Sequence, residues 1–512
     1  MADEELRLAD LLAALSLTTD LAMGQPPEKA IRAAVVATEL SRRMGLPEVE
    51  VADAYYTTLL KHLGCTATSH EESSLFGPGD LGMRVVAERT DVSRPGELLG
   101  LMRMTGRGAG LGRPRYVARA LMAGKEADRQ VARAVCEVAS GMARRLGFGE
   151  EVRRALNESL ERWDGKGAPQ GLKGEDVALA ARIAEPATQA VIFHRIGGPE
   201  AALAMVERRS GGWFDPAVAE AFRDVGPSAL ERLDEEDPWA SVLAAEPEPV
   251  RRIAADRLED VAEAFADMVD LKTTFTLGHS SGVARLAATA AERVGLSDPR
   301  AVRLAGLLHD LGRTAVGAGV WEKAGSLTTT EWEQVRLHPY HTERVLSRSA
   351  ALRPLARIAG MHHERQDGSG YHHAASAVEV PAEARLLATA DVFQAMTEAR
   401  PHRPARDPSE AAELVTAEAR EGRLDPESVR AVLEAAGRRA ARRAAWPAGL
   451  SDREVEVLRL VARGLSNKAI AGALFISPRT AEHHVQHVYG KIGASTRAGA
   501  AMFAMEHGLI RD

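Results

Sequence analysis

Apolar residues recur at helical spacing along most of this chain, and Gly and Pro fall mainly between the apolar patterns. The segment 255–275, ADRLEDVAEAFADMVDLKTTF, is a clear case. Leu258, Val261, Phe265, Met268 and Val269 make one apolar stripe with acids on the other side, which predicts an amphipathic helix whose stripe is core. Two stretches interrupt the helical text. Residues 233–250 combine acids with three prolines and predict a domain boundary, and RRAARRAAWPAG, after Gly437, predicts a second. Beyond it, four short helices are predicted from their ends. Ser451 with Glu454 forms a capping box for a helix that Gly464 ends, and Ser466 caps a second through Leu474. Ser477-Pro478 opens a third that Gly493 ends, and a fourth runs from about Thr496 to His507, stopped by Gly508. In the third, Ala481, Val485, Val488 and Ile492 form the stripe to be buried. Arg479, Glu482, His483, Gln486 and Gly490 lie on the polar face.

Length and composition place this all-helical pattern. A chain of 512 residues is too long for one core and predicts two to four domains. Two cysteines, Cys65 and Cys136, make no disulfide framework and fit a reducing compartment. The acidic start MADEELRLADLL lacks the positive charge of a signal peptide, and no apolar run approaches a membrane span, so a cytoplasmic protein without a membrane partner is expected. The net charge of −7 is uneven. From Arg430 onward 13 Lys or Arg face 7 Asp or Glu, a balance of +6 that leaves −13 for the rest, so only the tail invites a polyanion. The Arg cluster ahead of the tail reads either as a phosphate-contacting patch or as a solvated linker face.

Nine of the sixteen histidines lie between Gly278 and Arg403, several beside acids: His279, His309-Asp310 in LLHDLGR, His338 in HPYHTERVL, His362-His363 in HHERQDGSGYH, with Asp391 following in ADVFQAMTEARPHR. A single His-Asp pair is usually an N-cap or a solvated pair. Five such elements in series form the imidazole and carboxylate ligand set of divalent transition metals.

This stretch, roughly 255–436, resembles the HD-GYP branch of the HD-domain metal-dependent phosphohydrolases. The resemblance implies two divalent transition metals, iron or manganese, one held by His279, His309, Asp310 and Asp391 and the other by Asp310, His338, His362 and His363. Asp310 and a water would bridge them. It also implies Asp310 and Arg313 as catalytic, with Arg313, Gly368, Gly370, Tyr371, Arg400 and Arg403 at the substrate. Three departures stand out: Phe275 replaces the Glu that accompanies a third metal, Arg313 replaces a phosphate-approaching Lys, and the Gly-Tyr-Pro signature reads Gly370-Tyr371-His372. The last gives the loop an added ligand or base and weakens an assignment to cyclic di-GMP.

The first 245 residues repeat this domain without its ligands. MGLPEVEVADAYYTTLLKHLGCT at 44–66 parallels VGLSDPRAVRLAGLLHDLGRT at 294–314, which sets Lys61 and His62 in the places of His309 and Asp310. LERWDGKGAPQGLKGE at 160–175 parallels the HHERQDGSGYH segment, with Ser159 and Leu160 for His362 and His363. Thr188 replaces Asp391, Lys29 replaces His279, and FDPAV at 214–218 echoes LDPES at 424–428. Lysines would repel a cation, so this copy is expected to be a sensor, a dimerisation surface or a scaffold.

The tail LSDREVEVLRLVARGLSNKAIAGALFISPRTAEHHVQHVYGKIGASTR resembles the LuxR-type helix-turn-helix domain along its length. By position this implies that Glu482, His483 and Gln486 face bases in double-stranded DNA, while Asn467, Lys468, Thr480, Lys491 and Arg497 hold phosphates. An acid at Glu482 is unfavourable near phosphate and suits a cytosine amine instead.

The sequence therefore predicts a homodimeric, all-α transcription regulator: a degenerate HD domain (1–245), an HD-GYP-like phosphohydrolase domain (246–436), an Arg-rich linker (437–447) and a LuxR-type domain (448–512). The central site would hydrolyse a phosphate ester, such as a cyclic dinucleotide. The rival reading is a nucleotide and metal sensor that controls DNA binding without turnover.

Overall fold

A computed structural model describes residues 5–77, 79–107, 109, 112–437 and 446–510. Most of the expected linker, residues 438–445, lies outside the described residues. The fold is almost entirely helical. Among the described residues the only sheet pairs Glu5–Arg7 antiparallel with Arg252–Ala254. The chain divides into two compact units, Met1–Leu258 and Glu259–Asp512. The first unit runs past the expected boundary at residue 245 because the returning strand closes on the N-terminal one, Leu6 opposite Ile253.

The helix Leu258–Asp270 has its apolar stripe buried, Phe265 and Met268 completely. It ends five residues before the expected limit of 275, for a polar reason. The Asp270 carboxylate accepts hydrogen bonds from Ser280 N and Oγ, and Thr276 Oγ1 donates to Asp270 O, so the Thr-rich turn folds back to start the next helix. That helix, His279–Val294, follows Gly278 in the left-handed region at φ 70° and packs against Pro299–Leu308. The two helices approach so closely that a Cβ on Gly306 would lie 2.7 Å from Ala284 Cα. His279 starts the first helix and His309 ends the second, so this close crossing brings both imidazoles to one place.

The first unit repeats these devices. Lys29–Arg43 also follows a left-handed residue, Glu28 at φ 76°, and Asp20 caps it through Ala30 N as Asp270 caps through Ser280. Trp163 N donates to Trp213 O as Gln366 N donates to Arg423 O, and the Asp-Pro starts at Asp215 and Asp425 both cap helices. Gly312 lies so close to His338 that a Cβ would meet its carbonyl oxygen at 1.9 Å, and Gly64 stands in the same relation to Val135. Val135 thus occupies the place of His338, a correspondence with no local motif to announce it.

In the tail the four expected helices are Asp452–Ala462, Asn467–Leu474, Pro478–Ile492 and Arg497–Glu506. The Ser451/Glu454 capping box is formed, and Ser466, Ser477 and Thr496 cap the others. Ala481, Val485 and Val488 are buried and Ile492 half-buried. No helix among the described residues is long and apolar enough to cross a membrane.

Candidate metal centre and nucleic-acid interface

Five separate elements of the second unit deliver seven ligand-type side chains to one buried spot. His279 comes from the start of His279–Val294, His309 and Asp310 follow Pro299–Leu308, His338 opens His338–Leu346, His362 and His363 follow Arg353–Gly360, and Asp391 lies within Ala382–Met396. They fall into three overlapping groups: His279, His309 and Asp391; His309, Asp310 and His362; and His338, His362 and His363. Within each, the donor atoms lie within 4.8 Å of one another. Asp310 stands between the outer groups. Its Oδ2 is 3.8 Å from His279 Nε2 and 3.5 Å from His309 Nε2, and its Oδ1 is 3.3 Å from His338 Nε2 and 3.6 Å from His362 Nε2.

Backbone carbonyls fix the tautomers. Nδ1 of His309, His338 and His362 donates to the carbonyl three residues earlier, Gly306, Val335 and Ala359, at 2.7, 2.6 and 2.6 Å. A carbonyl oxygen only accepts, so each Nδ1 carries the proton and each Nε2 lone pair faces inward. His338 Nε2 and His362 Nε2 then lie 3.1 Å apart, and His309 Nε2 is buried without a hydrogen-bond partner among the described residues. Lone pairs aimed at each other at that distance repel unless a cation lies between them. The donor set therefore fits divalent metal.

The buried groups of the cluster shift one another's titration in opposite directions. Burial would raise the carboxyls of Asp310 and Asp391, but the surrounding imidazoles, with Arg313 at Asp310, hold both well below the usual range. Burial pushes His309 down to about 4 and also lowers His338 and His363. His279 goes the other way, to about 10. Burial opposes this, but the Glu398 carboxylate and hydrogen bonds to Asp391 and Glu398 outweigh it. Glu398 and Trp321 were not among the residues singled out from sequence. Trp321 lies under the Arg313 guanidinium, 4.0 Å from ring centroid to Cζ, while Arg313 Nη1 donates to Asp310 Oδ2 at 3.3 Å.

The expected substrate residues divide. The Tyr371 ring lies 4.4 Å from that of His363, and half-buried Arg400 stacks over Phe275 while donating to Glu398 at 3.1 Å. Gly370 is buried against Glu364 and Gly368 turns the loop at φ 77°. Arg403 donates to the carbonyls of Ala395, Met396, Glu398 and Pro404, so its guanidinium holds the end of the helix Ala382–Met396.

In the first unit the corresponding space is filled by ion pairs. Buried Lys29 Nζ lies 2.5 Å from Glu88 Oε1 and 3.0 Å from His62 Nε2, and Lys61 pairs with Glu185. Ser159 and Thr188 turn their hydroxyls to backbone carbonyls. Ammonium groups stand where cations would. Glu88, which no sequence parallel flagged, supplies the balancing charge.

On the third tail helix, Arg479, Thr480, Glu482, His483 and Gln486 are exposed, as is Lys468 on the second. Lys491 donates to Gly449 O and Glu454 Oε2, and Arg497 donates to Leu465 O and Asn467 Oδ1, so these cations already serve to tie the bundle together.

Comparison with known proteins agrees with this geometry. The HD domain family model matches residues 114–218 and 263–428, and the model for bacterial regulatory proteins of the luxR family matches 448–504. A 3'3'-cGAMP-specific phosphodiesterase of Vibrio cholerae is 31% identical over 84% of this chain and 94% of its own length. The chain belongs to the HD-domain family. It joins HD domains that resemble the HD-GYP branch to a LuxR-type DNA-binding domain. A Pseudomonas aeruginosa cyclic di-GMP phosphodiesterase is 35% identical over 34% of this HD-domain chain and 43% of its own. The crystal structure of a cyclic GMP-AMP specific phosphodiesterase of V. cholerae superposes with a TM-score of 0.60 at 28% identity, covering 85% of this chain and 99% of that one. A putative HTH-type transcriptional regulator of Mycobacterium bovis is 54% identical over 48 residues, 9% of this chain and 5% of its own.

Proposed function

We propose that the second unit hydrolyses a cyclic dinucleotide with two divalent metals, iron or manganese, and that the tail carries this activity to promoter DNA as part of a cytoplasmic homodimer. His279, His309, Asp310 and Asp391 would hold one metal, and Asp310, His338, His362 and His363 the other. The observation that carries this reading is the pair of inward Nε2 atoms of His338 and His362 at 3.1 Å, with Asp310 offering one oxygen to each side. When bound, the metals supply the positive charge that activates a water and neutralises phosphodiester oxygens. Arg313, over the Trp321 ring and donating to Asp310, presents a planar donor to a phosphate, and Tyr371 packs beside the centre on His363.

The V. cholerae relatives named for 3'3'-cGAMP support a cyclic dinucleotide as the substrate class. Purified protein loaded with iron or manganese should linearise at least one member of a panel of cyclic dinucleotides. A second reading is favoured by the engagement of Arg313 with Asp310: a nucleotide is bound without turnover and alters DNA binding. Binding of a panel member by calorimetry with no linear product would select it, and neither binding nor turnover would overturn both.

A further inference from the structure

His372, which stands at the loop's usual proline position, and its neighbour His373 lie at a second cluster of ligand-type side chains. Glu343 lies on His338–Leu346, five residues past His338, and His372-His373 follow Tyr371. Their donor atoms lie within 4.8 Å of one another. Glu343 Oε2 is 2.8 Å from His373 Nε2 and 3.7 Å from His372 Nε2, and the two rings lie with centroids 4.0 Å apart. Both ring nitrogens of His372 are buried and lack a hydrogen-bond partner among the described residues. The nearest acceptor, Glu343 Oε2, is 3.7 Å from His372 Nε2, beyond hydrogen-bond distance and within reach of a shared cation.

We propose that Glu343, His372 and His373 form a peripheral site for one divalent transition-metal ion of the zinc type, separate from the hydrolytic centre. Tetrahedral zinc with bonds of about 2.0–2.1 Å needs donors roughly 3.3 Å apart, and the observed 2.8 and 3.7 Å bracket that spacing. Two imidazoles and one carboxylate are a borderline ligand set with room for a water in the fourth position, and the site opens to solvent on the side of His373.

The loop is already shaped for it. Buried Glu364 accepts from His373 N at 3.2 Å and Ala375 N at 3.0 Å, and Arg336 donates to the carbonyls of Gly370 and Tyr371, both at 3.2 Å. Binding thus orders two side chains, not a backbone. The ion would clamp this loop to the helix His338–Leu346. Those same two segments carry His338 and Tyr371 to the hydrolytic centre, so the clamp would hold Tyr371 against His363.

The test uses the full chain, stripped with a chelator and titrated with Co2+, whose tetrahedral sites absorb in the visible, and with Zn2+ counted by elemental analysis. His373→Ala and Glu343→Gln should each bind one equivalent less than the unmutated chain and lose the matching part of the absorption. Asp310→Ala should keep one equivalent that disappears when His373→Ala is added. This arm separates the present site from the hydrolytic centre, whose failure would show in Asp310→Ala alone. Circular dichroism checks that each variant is folded. Equal metal content in the unmutated chain and both single variants, or no equivalent left in folded Asp310→Ala, would overturn the proposal.

Discussion

Glu398 Oε2 accepts the Nδ1 proton of His279 at 2.8 Å, and the ring's other nitrogen faces Asp391 at 3.1 Å. Glu398 is itself held, by Gln394 Nε2 at 2.7 Å and Arg400 at 3.1 Å. His279 is the one histidine facing both metal-side carboxylates whose orientation depends on a side chain, because His309, His338 and His362 lean on backbone carbonyls that mutation cannot remove. Removing such a support typically weakens metal binding about 10–100-fold. Glu398→Ala should therefore lose metal to a competing chelator at correspondingly lower concentration. Glu398→Gln, which still accepts from Nδ1, should lose less. Equal retention in all three proteins would show that Glu398 does not support the site.

The ion pairs of the first unit lead to a second expectation. Lys29 with Glu88, and Lys61 with Glu185, supply the positive charge internally, so residues 1–258 should hold no stoichiometric transition metal, while residues 250–437 should. The longer first fragment matters because a chain cut at 245 loses the strand that pairs with Glu5–Arg7. Elemental analysis of the two fragments decides it, and equal metal in both would show that the first unit keeps a metal site despite these ion pairs.

The same cluster sets a pH dependence. Burial, with Lys29 beside it, pushes His62 down to about 4, and burial raises Asp20 to about 7. Buried neutral His62 contributes stability that is full above about 6.5 and lost as pH falls through about 4, because the unfolded chain takes up the proton first. Asp20 acts in the opposite sense: its contribution is full below about 3.9 and lost as pH rises through 7. The two offset each other between these limits. His62→Gln removes one side of the balance, so the stability of residues 1–258 carrying it should gain on the unmutated fragment as pH falls from 6.5 to 4.5, by on the order of 1–3 kcal/mol. Urea denaturation at three pH values reads this, and a constant difference would refute it.

Which parts were legible follows from range. The Ser451/Glu454 box, the Ser466, Ser477 and Thr496 caps and the His309-Asp310 and His362-His363 pairs are each set within one turn, so the local text contains them. The early end of Leu258–Asp270 was missed because an apolar stripe reports burial, whereas the stop depends on the Asp270 carboxylate reaching Ser280. Glu398 is 119 residues from His279, and Glu88 is 59 from Lys29. Nothing in the spacing of an isolated glutamate tells that it will face a particular imidazole. Trp321 was missed likewise, in a short apolar run whose only cue was a bulky ring among small residues.

For DNA, exposed His483 and Gln486 should matter more than Lys491 and Arg497. The last two already bond within the tail, to Glu454 and Asn467, and must be shared or released to reach a phosphate. His483→Ala with Gln486→Ala should abolish preference for the protein's operator while leaving weak, salt-sensitive binding, since base contacts specify and phosphate contacts position. Gel-shift titration against operator and random DNA at two salt concentrations measures both terms. Retained preference in the double variant would move base recognition elsewhere on the tail.

Asp310 offers the strictest test. Its two oxygens face different histidine groups, Oδ2 toward His279 and His309, Oδ1 toward His338 and His362. Asp310→Ala should therefore weaken both metals at once, and it also frees Arg313 from its carboxylate partner. His362→Ala touches one side only and should leave partial occupancy. The residue follows the helix Pro299–Leu308, so a small side chain there leaves helix formation intact. Metal content, cyclic dinucleotide turnover and gel shift on the same preparations separate three cases. Lost turnover with unchanged operator binding means an enzyme carried to DNA by its tail. Lost turnover with altered operator binding means that the metal state is itself the signal the tail reads. Full metal content in Asp310→Ala would remove the shared carboxylate, and with it the two-metal centre.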